Sequence, residues 1–209
     1  MLSLLRLGVI LSFLISIISL SILVLKTFSF GKKPLYAKPQ GKSIKGIFYA
    51  FGRGMMPWEK ESVRKHLPTY MAGIMYHTSI FTALFYLISI VCSFGLPGHI
   101  ISLFRILFVL GSISGFSLLL RRIFLPHMKK ISCPDDFASN IIVGLFLISA
   151  LVNTYFVQST RLFFVIAIFL FLYIPVGKIR HCFFFVYVRI LFGLFYGRRG
   201  VLPPKTRKA

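Results

Sequence analysis

His77 and His181 are the side chains in this sequence best placed to do chemistry. Each lies in or at the end of a long apolar run, and an ionisable group held in lipid tends to face protein and to have a partner. The chain has four acidic residues, Glu59, Glu61, Asp135 and Asp136, and none falls inside an apolar run. Neither histidine therefore has a carboxylate to pair with in the membrane. Two chemistries stay open. Each imidazole can bond a backbone carbonyl, or the two can serve a metal centre, since two neutral imidazoles facing each other fill both axial positions of a haem iron. His66, His99 and His127 read as solvated or interfacial. Cys92, Cys133 and Cys182 share no ligand spacing, so no zinc or iron–sulfur site can be built from this chain alone, and no disulfide framework is implied.

The elements that must position these residues are apolar helices. The chain is 57% hydrophobic with a mean hydropathy of +0.85, more apolar than a water-soluble domain of this size tolerates. Its 25 Lys and Arg give a formal charge of +21. In a soluble protein that balance points to nucleic acid; here the charges sit between and after apolar runs, which is the membrane pattern and argues against nucleic-acid binding. Crossing a hydrocarbon core about 30 Å thick takes about 20 apolar residues. Five stretches qualify: 7–25, 69–94, 100–120, 138–155 and 162–186. The expected fold is an all-α membrane protein, a five-transmembrane-helix bundle forming one membrane domain over 1–209.

Loop charges orient it. Ten Lys and Arg lie in the basic 26–66 loop, four between helices three and four, and eight from Lys178 onward, against Arg6 and Arg161 on the other side. Basic loops stay cytoplasmic, so the N-terminus is expected outside and the C-terminus cytoplasmic. Lys26, Lys32 and Lys33 follow the first span and no small-residue cleavage site closes it, so it reads as a retained anchor. In this frame His77 is about 12 Å from the inner end of helix two. His181, in the last two turns of helix five, reaches a similar depth. Lys178 and Arg180 flank it, either as ordinary positive-inside residues or as cations for an anionic cofactor group. Arg105, in helix three, snorkels or meets a quinone headgroup. The 26–66 loop carries Phe48, Phe51, Met55, Met56 and Trp58, as an interfacial segment or a docking surface. The basic tail, 197–209, is expected to be extended on lipid or a partner.

The stretches GFSLLLRRIFLPHMKKISCPDDF and RLFFVIAIFLFLYIPVGKIRH resemble the membrane cytochrome b family of respiratory nitrate reductase gamma subunits. The closing FGLFYGRRGVLPP is similar to relatives serving heterodisulfide-reductase-like complexes and to the membrane cytochromes of sulfate reducers. The resemblance covers roughly residues 70–204. It implies five helices and b haems ligated by histidines of helices two and five. The inner-haem ligands fall on His77 and His181, with Arg161, Pro175 and Lys178 matching the pattern that precedes the second. The outer-haem ligand positions fall on Leu87 and Phe163, which cannot bind iron. One haem b is therefore expected, with the outer position filled by Leu87, Phe163 and neighbouring aromatics.

The function implied is that of an electron-transfer subunit in an oxidoreductase complex of a prokaryotic cytoplasmic membrane. It would relay electrons between the quinone pool and a cytoplasmic iron–sulfur subunit, with His77 and His181 as iron ligands and Lys178 and Arg180 beside the haem propionates. The basic inner face would suit an acidic docking surface on that partner. The rival expectation is a haem-free membrane anchor for a catalytic redox subunit. A small transporter is disfavoured, because the spans hold few polar groups to line a path.

Overall fold

The structure is a computed structural model and describes residues 2–29, 38–59, 63 and 65–204. Lys32, Lys33, Glu61 and the last five residues of the basic tail lie outside the described residues. The described helices are α1 (Leu2–Ser29), α2 (Ser43–Phe51), α3 (Leu67–Val91), α4 (Gly98–Phe124), α5 (Pro126–Ile131), α6 (Pro134–Tyr155), α7 (Thr160–Tyr173) and α8 (His181–Arg198), joined by short 3-10 turns. No strand occurs among the described residues. Among the described residues, five stretches are helical, long and apolar enough to cross a membrane: α1, α3, α4, α6 and Lys178–Arg198. In such runs the backbone satisfies its own polar groups, which is what lipid demands.

The helix expected over 162–186 is instead two helices. Pro175 has no N–H, and its ring collides with the carbonyl four residues back, so α7 stops at Tyr173. The amides of Ile174 and Gly177 donate to Leu170 O at 3.0 Å and Tyr173 O at 2.8 Å, closing the turn. A side chain at Gly177 would run into the Tyr173 ring. Lys178–Arg180 form a 3-10 turn and His181 opens α8. His181 is thus the first residue of a new helix rather than part of the last turns of an old one. The other four helices extend beyond their expected bounds at one end or both, except that α3 ends at Val91, short of Phe94.

The chain folds as two compact units, Met1–Ile18 with Pro68–Ile179, and Ser19–Leu67 with Arg180–Ala209. The first unit has the aromatic core: Phe108, Phe146, Phe163, Phe164 and Leu147 are fully buried. Helices α3 and α4 cross closely at small residues, Ser79 against Gly111 and Tyr76 against Gly115. Ser79 Oγ donates to Leu107 O at 2.6 Å across that crossing. Helices α6 and α7 run antiparallel. Asn153 Nδ2 donates to Thr160 Oγ1 at one end (2.9 Å), and Tyr173 donates its hydroxyl to Asp135 at the other.

In the second unit α2 lies antiparallel along α8. Gln40 N and Gly41 N donate to Arg198 O at 2.8 and 3.0 Å, Gly46 meets Gly193 and Gly197, and Phe51 meets Phe185 edge-on at 6.3 Å. The glycines are required there: a Cβ on Gly193 would sit 2.5 Å from Ile47 Cα, backbone that cannot step aside.

Candidate functional site

His77 lies on α3, in the first unit, and its side chain is exposed at the protein surface. Its Nδ1 lies 2.7 Å from Gly73 O, one turn earlier on the helix. A carbonyl can only accept, so Nδ1 carries the proton, and in the neutral ring the lone pair then sits on Nε2. A carbonyl partner of this kind sets the tautomer and ring orientation of metal-binding histidines. His181 is exposed at the start of α8 and belongs to the second unit. Arg180, beside it, is also exposed.

Lys178 has a definite partner. Its Nζ meets Asp136 Oδ2 at 2.7 Å, and its backbone N–H donates to Asp135 Oδ2 at 2.7 Å. Asp136 also accepts from the Cys133 amide at 2.9 Å and faces Arg122 at 3.3 Å. Asp135 accepts from Tyr173, and Arg121 donates to Thr69. Thr69, Arg121, Arg122, Asp135, Asp136 and Lys178 therefore gather the ends of α3, α4 and α6 and the turn after α7. The sequence left Lys178 open between an ordinary flanking cation and a partner for an anionic cofactor group, and placed the two acids between helices. The structure puts the acids in the first turn of α6, where a carboxylate caps free amides and meets the positive end of the helix dipole. The segment Cys-Pro-Asp-Asp carries that signal: Pro134 stands at the first helical position and Asp136 three residues past the cap.

Leu87 and Phe163 both lie in the core of the first unit, 2% and 0% exposed. The Phe163 ring stacks on Phe146 at 5.3 Å and on Tyr86 at 5.9 Å. Tyr86 in turn contacts Phe104 and Phe108 and donates its hydroxyl to Asn153 Oδ1 at 3.0 Å. The core at these two positions is filled by side chains with their polar atoms bonded.

Arg105 has partners within the protein. Its Nε donates to Thr154 Oγ1 at 3.1 Å and an Nη to Thr154 O at 2.5 Å, and its guanidinium covers the Tyr155 ring at 4.0 Å. It caps the C-terminal carbonyls of α6, the end at which a helix favours a cation. A groove of about 380 Å³ runs along Thr78, Phe81, Thr82, Phe85 and Phe104. Thr82 turns its hydroxyl to Thr78 O at 2.9 Å, so the groove offers mainly hydrocarbon. Among the described residues, no group of three or more His, Cys, Asp or Glu could hold a metal ion. Compared with protein-family models, curated proteins and solved structures, the chain matches none.

Proposed function

We propose that this chain is the membrane b-type cytochrome subunit of a quinone-linked oxidoreductase complex, holding one haem with His77 and His181. The observation that carries this is the His77 hydrogen bond. In a helix long and apolar enough for lipid, Gly73 O fixes the ring in the tautomer whose Nε2 carries the lone pair an iron would take. Two histidines are too few for a bare zinc or non-haem iron site, which takes three or four protein ligands. They suffice for a macrocycle that supplies four nitrogens of its own. When bound, the haem supplies one-electron exchange.

The chain's own residues would divide the remaining work. His77 and His181 ligate, and Arg180 offers a cation to a propionate while Lys178 is committed to Asp136. The packing supports one haem rather than two. Leu87 and Phe163, at the positions the resemblance gives to outer-haem ligands, are buried in one aromatic core, Phe163 between Tyr86 and Phe146, and a tightly packed interior leaves no room for a second macrocycle. The basic surface would face the cytoplasm and favour an acidic iron–sulfur partner by electrostatic steering.

The test is the reduced-minus-oxidised spectrum of the purified protein, alone and in complex. The expected result is a b-type band in the wild type and its loss in His77→Ala and His181→Ala. A colourless wild type that still binds and tethers its partner would instead make the chain a haem-free anchor.

A further inference from the structure

We propose that Arg6 and Arg161 form a binding site for the phosphate of an anionic phospholipid, at the end of the first unit remote from Asp135 and Asp136. Both arginines belong to that unit, and the haem plays no part in the site.

The site stands at the head of the seam between α1 and α7. The two helices run in the same direction: Gly8 lies against the Ile168 side chain, and further along both helices Phe13 meets the Phe171 ring edge-on at 5.3 Å. On α7, Arg161, Phe164, Ile168 and Phe171 recur at steps of three and four, so Arg161 shares the stripe that faces α1. On α1, Arg6, Val9 and Phe13 recur in the same way, and Val9 is buried. Counted back from the two contacts at 1.5 Å per residue, the Cα atoms of Arg6 and Arg161 differ in height by roughly 5–8 Å. That is less than the combined reach of two arginine side chains, so both guanidinium groups can meet one anion.

The electrostatics of this end require a counter-charge. The Arg6 Nε is buried and has no hydrogen-bond partner among the described residues. A guanidinium does not give up its proton, so this partly desolvated cation stays charged. The first unit contains two carboxylates, Asp135 and Asp136. Asp136 is held by Arg122 and Lys178. Asp135 accepts from Tyr173 at the other end of α7, about 18 Å along the helix from Arg161, beyond a Debye length at physiological salt. The first turns of α1 and α7 carry no acid, so two helices present their positive ends here as well. Two cations and two helix N-termini on one seam repel each other unless an anion comes between them.

The rim names the anion. Leu2, Leu4 and Leu7 on α1 and Val157 and Leu162 beside Arg161 are exposed, and α1 is long and apolar enough to cross a membrane. A free phosphate gains nothing from such a rim. A phospholipid does, because its phosphate sits where its acyl chains begin, the depth at which an arginine near the end of an apolar helix meets headgroups.

The test takes the full-length chain, purified in detergent, through native mass spectrometry after addition of phosphatidylglycerol or phosphatidylcholine. The wild type should retain one phosphatidylglycerol per chain, about tenfold more strongly than phosphatidylcholine. Arg6→Gln and Arg161→Gln should each weaken that retention about tenfold, the loss of one charge-assisted contact. Lys129→Gln with Lys130→Gln removes two exposed cations at the opposite end of the same unit and should leave retention unchanged. Equal retention of the two lipids by the wild type, or the same loss in the lysine variant, overturns the proposal. Inorganic phosphate in large excess should leave the lipid bound; displacement would make the ligand free phosphate and overturn the lipid assignment.

Discussion

Phe163→Ala tests whether the core at the expected outer-haem position is a filled structural interior. Phe163 is fully buried and stacks between Tyr86 and Phe146. In a bilayer the lipid is as apolar as the core, so the transfer part of a truncation largely vanishes and the loss of packing contacts remains. Removing the ring leaves a void of roughly 100 Å³; at about 24 cal/mol per Å³ that destabilises the protein by about 2.4 kcal/mol. Phe169→Ala, on the same helix but 66% exposed, leaves no internal void and should cost less than about 0.5 kcal/mol. The assay is reversible unfolding in mixed micelles, with haem content measured on the same samples. Haem per chain should be unchanged in both variants. Equal destabilisation by the two substitutions, or loss of a haem on truncating Phe163, would refute the filled-core reasoning.

Arg105→Ala should destabilise the chain by about 2 kcal/mol, because two charge-assisted bonds to Thr154 and the cover over Tyr155 go together; the same unfolding assay measures it. Asp136→Asn removes the charges facing Arg122 and Lys178 but keeps an acceptor for the Cys133 amide, whereas Asp136→Ala loses both. The alanine variant should therefore be less stable by a further ~1 kcal/mol. Hydrogen bonds from Arg53 and Tyr49 hold the Glu59 carboxyl below its ordinary value. Its contribution is thus present above the ordinary carboxylate range and is lost as pH falls through the lowered value. Trp58 emission should shift over that acid window in the wild type and stay flat in Glu59→Gln.

Much of this molecule was legible in the sequence because lipid imposes simple demands. Apolar length alone located α1, α3, α4 and α6. What periodicity could not show was where an apolar run stops being one helix. Residues 162–186 read as continuous, yet Pro175 and Gly177 turn the chain and set His181 at the head of α8. The two histidines were visible because an imidazole in an apolar run is conspicuous. The Gly73 bond that fixes His77 was not, since every helical residue has a carbonyl four positions earlier. The Lys178 contact was hidden for a related reason: Asp136 is 42 positions away, and only the antiparallel return of α7 brings it there. Arg105 likewise found Thr154 across 49 residues. Charge count gave the basic loops, while the pairs within them came from the fold.

The most direct measurement is haem counted per chain, by the absorbance of the extracted pigment against protein concentration, in the wild type and in the two histidine variants. One haem b per chain is predicted, with essentially none in either His77→Ala or His181→Ala. Two haems per chain, or one haem retained in both variants, would contradict it.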